Sequence, residues 1–115
     1  MCHSLKKLAK TNNGELLLCE ACNIFHLEFN NLYFEFDDEQ FQLFKLYVSE
    51  VDCRFWECKY AQTSFKRKIP IPSMQENLVL MFSRQEMQEL KVLIRQQSGS
   101  RFLNVDDIDY RLILN

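Results

Sequence analysis

The chain has 115 residues, 47% hydrophobic and 26% charged, a balance that excludes a disordered polymer and gives one domain enough apolar surface for a single core. Two Gly and two Pro imply short loops, and five Cys in a chain of net charge −2 point to free thiols or metal ligands instead of a secreted disulfide scaffold. No apolar run approaches the roughly eighteen residues of a membrane span, and MCHSLKKLAK has no stretch suited to a signal peptide, so a cytosolic, non-membrane setting is expected.

The first 22 residues read as a hairpin ending in a cysteine knuckle. Asn13 and Gly14 are a strong type I′ turn signal between SLKKLAK and ELLLC, and that turn would return the chain start to within a few residues of Cys19 and Cys22. These two cysteines flank Glu20 and Ala21 in the C-x-x-C spacing, whose turn can aim two thiolates at one tetrahedral ion, most readily zinc. The pair follows three leucines and precedes an alternating strand. A thioredoxin-like redox pair would instead open a helix, where the dipole lowers a thiol pKa. A structural site takes four ligands; Cys2 is the best third and His3 the nearest fourth, reached if the terminal residues bend. Cys53 and Cys58 are the other candidates, but beside Phe55 and Trp56 they read as small core residues.

NIFHLEF and LYFEF, residues 23–29 and 32–36, form the next hairpin, with Asn30 and Asn31 as its two-residue turn because Asn tolerates positive φ. That loop fixes the register: Phe29 opposite Leu32, Leu27 opposite Phe34 and Phe25 opposite Phe36 line one apolar face, while Glu28 faces Tyr33 and His26 faces Glu35 on the other. His26 is thereby explained as a polar-face residue. Four strand residues at ~3.3 Å each put it about 13 Å from Cys22, too far to share an ion that holds its ligands at roughly 2 Å.

The block NLYFEFDDEQFQLFKLYV (31–48) aligns without a gap on NLVLMFSRQEMQELKVLI (77–94), sharing Asn, Leu, Phe and Lys at matching positions. Each copy reads as a short strand, an N-cap (Asp37, Ser83), and a helix whose third residue closes a capping box (Gln40, Glu86). Core stripes follow at helical spacing, Phe41, Phe44, Val48 and Val51 in the first and Met87, Leu90 and Ile94 in the second, which should stop near Gln97. The acids Asp37, Asp38 and Glu39 coincide with a helix start, where negative charge suits the dipole, and so need no metal. KRKIPIP precedes the second copy as a strand whose Pro70 and Pro72 confine it to an edge, where it could also pair with a second chain. The tail FLNVDDIDYRLIL fits a strand through Ile108, Tyr110, Leu112 and Leu114, or a helix through Val105, Ile108 and Leu112.

The expected fold is therefore α+β, a two-layer sandwich from two strand-strand-helix repeats. Its antiparallel or mixed sheet carries two helices on one face, and a zinc-knuckle hairpin precedes them. One domain, 1–115, divides into the knuckle hairpin (1–22), repeat 1 (23–53), repeat 2 (65–97) and a C-terminal extension (101–115).

Function is less legible. Residues 15–52 carry nine acids against Lys45 alone, and residues 54–68 carry Arg54, Lys59, Lys66, Arg67 and Lys68 against Glu57. Solvation of loops explains that segregation more simply than a nucleic-acid footprint, which usually makes a whole domain basic. The leading expectation is a zinc-stabilised interaction module with a protein partner. The alternatives are a single-stranded nucleic-acid binder through Lys66, Arg67, Lys68 and Trp56, with Phe55, Tyr60 and Phe65 interleaved, and a C-x-x-C thiol oxidoreductase. No phosphate loop or nucleophile elbow appears in the sequence, so an enzyme is the weaker class.

The early Cys2, the CEAC knuckle at 19–22 and the FNNLYFEF block, continuing through YVSEVDCRFWECKY and KRKIPIPSMQENLVLMF, resemble a family of small bacterial proteins classed only as a domain of unknown function. The resemblance covers the chain up to Ser100. It implies a similar fold and brings no activity or catalytic residue with it.

Overall fold

The computed structural model of the protein describes residues 5–102, with side chains through 95. Four strands, β1 (Leu5–Lys10), β2 (Gly14–Cys19), β3 (Ile24–Phe29) and β4 (Leu32–Phe36), form an antiparallel sheet in chain order. Helices α1 (Asp38–Glu50) and α2 (Cys53–Lys59) follow, then a separate two-stranded sheet of β5 (Ile69–Pro72) and β6 (Val79–Phe82), then α3 (Arg84–Phe102). The fold is α+β.

The β3–β4 hairpin forms in the expected register, pairing Phe25 with Phe36, Leu27 with Phe34, Phe29 with Leu32 and His26 with Glu35. Asn30 supplies the positive φ of the turn, at 53°. The alternation then sends Phe25, Leu27 and Phe29 inward, each at most 1% exposed, and each such burial contributes about 1.5–3 kcal/mol. Both capping boxes close as well. Asp37 accepts from the Gln40 N–H at 2.8 Å and Gln40 accepts from the Asp37 N–H at 3.0 Å; Ser83 and Glu86 repeat the exchange at 3.1 and 2.8 Å. Beyond the caps, Phe41, Phe44 and Val48 of α1 and Met87, Leu90, Leu93 and Ile94 of α3 join the inward residues of β2 and β3 in one core. Both helices thus cover the same face of the sheet.

Four features depart from the sequence reading. The four-stranded sheet is built from β1 to β4, so the second strand-strand-helix unit adds its strands as a separate hairpin and not to a common sheet. Second, α2 forms where only a connection was expected, started by Asp52, whose carboxylate accepts from the Phe55 N–H at 3.0 Å. Third, α3 runs through Ser98 and Gly99 to Phe102; the segment 103–115, with its strand-or-helix question, lies outside the described residues.

The fourth departure concerns Gly14. The β1–β2 hairpin turns through Thr11–Asn13, closed by the Thr11 N–H on the Gly14 carbonyl at 2.9 Å, and neither Asn13 nor Gly14 has a positive φ. No type I′ turn is present. Gly14 is required for a different reason: a Cβ there would stand 2.7 Å from Leu93 Cδ1, 2.8 Å from the Glu28 carbonyl oxygen and 2.9 Å from Phe29 Cδ1. The missing side chain is what lets α3 and β3 close on the start of β2.

Candidate functional site

The knuckle occupies the β2–β3 connection. Cys19 is the last residue of β2, paired on one side with Leu5 and on the other with Ile24. A turn over Glu20–Asn23 follows, with the Asn23 N–H on the Cys19 carbonyl at 2.7 Å and Asn23 in the left-handed region at φ 58°. Within this frame Cys19 is fully buried and Cys22 is exposed. The two cysteines therefore flank a tight strand-to-strand turn, as the spacing predicts, and not a helix start. The pairing of Leu5 with Cys19 brings the beginning of the described chain alongside the knuckle. Cys2 and His3 themselves lie outside the described residues. Among the described residues, no three His, Cys, Asp or Glu side chains group as a metal site would, so Cys19 and Cys22 find no third ligand in His26, Cys53 or Cys58.

His26 keeps its expected register and loses its expected exposure. Its side chain is only 13% exposed, because Leu17 lies beside it across the ladder and Tyr33 stacks on the ring at 6.1 Å between centroids. The Tyr33 hydroxyl donates to Glu35 at 2.8 Å and lies 2.7 Å from His26 Nδ1. With the phenol proton committed to Glu35, Nδ1–H donates to the phenol oxygen, leaving Nε2 as the other ring nitrogen. That Nε2 is buried and has no hydrogen-bond partner. A His–Tyr–Glu chain on an open sheet face escaped the sequence reading because Tyr33 reaches diagonally to His26, a step that cross-strand pairing does not list.

The basic and aromatic stretch 54–68 falls into two parts. On α2 and the loop after it, Phe55, Trp56, Tyr60 and Phe65 contact one another in succession, with centroids 5.1, 5.8 and 5.5 Å apart, and the Lys59 ammonium lies 5.5 Å from the Trp56 ring centre. The cations are largely engaged. Arg67 Nε donates to both Glu86 oxygens at 2.9 and 3.0 Å, the Lys68 ammonium donates to the Phe65 carbonyl, and Arg84 holds Glu57 at 2.6 Å. The Arg84 hydrogen bond keeps the Glu57 carboxyl below its usual range. Partial burial pushes the Glu86 carboxyl up, but the bonds from Arg67 and Ser83 outweigh it and leave the group below its ordinary value. Cys58 is not the core residue expected, being exposed, whereas Cys53 is half-buried and packs against the core; Phe55 beside them is 53% exposed.

Between this loop and the outer face of the β5–β6 hairpin runs an open groove of about 480 Å³, lined by Tyr60, Phe65, Lys66, Arg67, Pro70, Val79 and Met81. Composition alone did not reveal it, since its walls come from residues as far apart in the chain as Tyr60 and Met81.

No described helix is long and apolar enough to cross a membrane. No curated protein and no solved structure matches the chain. A model described as a family of unknown function, DUF6686, matches residues 1–115, and the chain, with its α+β sheet, its turn-borne cysteine pair and its apolar groove, belongs to that family.

Proposed function

We propose that the protein is a small interaction module whose N-terminal hairpin is fastened by a structural zinc ion. Cys19 and Cys22 would supply two thiolates, with Cys2 and His3 completing a tetrahedral Cys₃His set. The observation that carries this reading is the pairing of Leu5 with Cys19. Three residues of chain span at most about 11 Å, a reach that would allow Cys2 to join the knuckle. The knuckle turn supports it further, since it holds two sulfurs three residues apart on a strand-to-strand bend, where neither competes for a helix dipole.

Metal analysis of protein purified without chelator tests the reading. About one equivalent of zinc is expected, falling below about a third in both Cys22→Ser and Cys2→Ser, with the remaining thiols becoming titratable. Wild-type protein holding less than that, with Cys19 and Cys22 already reactive, refutes it.

The two alternatives draw on less. A thiol oxidoreductase needs an accessible attacking sulfur in an electropositive setting; Cys22 is exposed, but its partner Cys19 is fully buried and the residue between them nearest Cys19 is the acid Glu20. Single-stranded nucleic-acid binding draws on the aromatic series, but those rings pack against one another, and Arg67 is matched by Glu86.

A further inference from the structure

The β5–β6 hairpin is apolar on both faces. Ile69, Ile71, Leu80 and Phe82 point into the core, each at most 6% exposed. The alternation places Pro70, Pro72, Val79 and Met81 on the opposite face, where Val79 is 51% exposed and is joined by Phe65 and Leu78, each 50% exposed. Such a contiguous patch beside a groove is a recognition surface in need of an occupant.

The two edges of this hairpin are chemically unlike. Opposed residues of an antiparallel pair alternate between exchanging both backbone bonds and exchanging none. Pro70 and Pro72 have no N–H, so the bonded pairs are Ile69 with Phe82 and Ile71 with Leu80. The outer edge of β5 is consequently stripped of donors by its prolines. On the other side, the N–H and C=O groups of Val79 and Met81 point away from β5. Among the described residues no strand pairs with that edge of β6, and neither N–H takes part in a described hydrogen bond. One edge is closed to strand addition, and the other is open beside the groove.

We propose that β6 accepts an extended peptide partner by strand addition, and that this partner carries both apolar side chains and a carboxylate on its groove-facing side. The backbone ladder would supply affinity, and the groove would take the apolar side chains. The acidic requirement comes from charge: Lys66 lines the groove, Lys68 adjoins it, Glu86 already balances Arg67, and no acid lines it. The same charges disfavour a second copy as occupant, because a two-fold pairing through β6 would bring two sets of these cations together. A nucleic acid would have no use for the β6 edge. The inference rests on the interaction-module reading but not on its metal, because groove and knuckle share no residue.

The test uses the full chain and a fluorescein-labelled hexapeptide, Val-Thr-Asp-Thr-Val-Thr, whose first, third and fifth side chains share one face, followed by anisotropy. Saturable binding is expected. It should weaken about five-fold or more in Lys66→Glu, as loss and reversal of a rim charge does, and disappear when alternate peptide amides are N-methylated. Val79→Pro, which removes one edge donor while leaving the β5 bonds intact, should likewise abolish it. Unchanged far-UV circular dichroism and thermal midpoint in both variants separate lost binding from lost folding; where Val79→Pro unfolds, the N-methylated peptide alone decides. Binding that survives zinc removal keeps this inference standing even if the metal reading fails. Three results overturn it: no binding at millimolar peptide, equal binding of the counterpart with Lys in place of Asp, or tighter binding of a single-stranded oligonucleotide at the same site.

Discussion

Replacing Gly14 by Ala should destabilise the protein, and the sign of the effect is diagnostic. At an ordinary negative φ, Gly→Ala stabilises by about 0.4–1 kcal/mol through the unfolded chain, and Gly14 has no positive φ to forbid the change. The new Cβ, however, would lie within 3.0 Å of three atoms, Leu93 Cδ1, Phe29 Cδ1 and the Glu28 carbonyl oxygen. The two side chains can rotate partly aside. Glu28 is held by the β2–β3 ladder opposite Glu15, so its carbonyl can retreat only by stretching that ladder. Overpacking of this kind costs typically 1–3 kcal/mol, and the backbone contact places Gly14→Ala toward the upper part of that range, about 2–3 kcal/mol. With an unfolding entropy of ~2.1 cal/mol/K per residue over 115 residues, that corresponds to a fall in Tm of about 8–12 °C. Urea unfolding followed at Trp56 and by circular dichroism measures it. In the double variant with Leu93→Ala the two losses should add to less than their sum by about 1 kcal/mol, because the smaller neighbour removes one clash. A Gly14→Ala protein as stable as the parent, or more so, would show that α3 does not close on β2 as described.

Two further outcomes follow from single side chains. Glu89 accepts from the Thr11 hydroxyl and from the N–H and side-chain amide of Asn13, the latter two at 2.9 Å, so Glu89→Ala should cost about 1–2 kcal/mol in urea unfolding. The Thr11 bond is the first cause that holds the Glu89 carboxyl below its usual value near 4.5, and the Asn13 bonds add to it. Its contribution is therefore complete above that value and is lost as pH falls through the lower folded-state pKa, a loss the variant should lack. At His26, Leu removes a buried Nε2 that has no partner along with one bond to Tyr33, so the two effects offset and stability should change by less than about 1 kcal/mol. A loss above about 3 kcal/mol in zinc-replete protein would instead show that Nε2 binds something essential.

How far the residues disclosed the fold depended on whether the deciding interaction was local. The β3–β4 register was legible because a two-residue loop and three inward aromatic or leucine pairs leave only one alignment. The two capping boxes were legible because both partners lie three residues apart. Gly14 misled for the complementary reason: Asn-Gly is a local turn signal, whereas the constraint on this glycine comes from Leu93, nearly eighty residues away. The same holds for the second hairpin. Its alternation was readable, but whether β5 and β6 extend the main sheet or stand apart is decided by the contacts of Ile69 and Phe82 with the core, which no short window contains. Of the candidate site, the strand-to-strand setting of Cys19 and Cys22 was legible from their flanks. The shielding of His26 was not, because it depends on Leu17 and Tyr33 closing over the ring from neighbouring strands.

The weak point of the molecule is β1, and its fastenings explain the arrangement at both ends of the sheet. In LKKLAK only Ala9 is buried and Leu8 half-buried, and the pairing slips at a bulge between Lys7 and Ala9, so apolar burial holds this edge strand far less firmly than β3. At its far end the deficit is met by α3. Glu86 and Glu89, neighbours one turn apart on that helix, bind Arg67 and the Thr11–Asn13 loop respectively, so a single helical turn braces both the groove wall and the hairpin tip. At its near end Leu5 lies opposite Cys19, where the proposed ion would act as the second brace. Five residue steps of β2 at ~3.4 Å separate the two ends by about 17 Å. Removing zinc should therefore release β1 from Leu5 inward while the Glu89 end, the β3–β4 hairpin and the groove persist. Amide exchange on chelator-treated protein should speed up first at residues 5–8 and leave Phe25, Leu27 and Phe34 protected. Uniform loss of protection across all four strands would mean that the ion holds up the whole core, and uniform retention that β1 needs no ion at all.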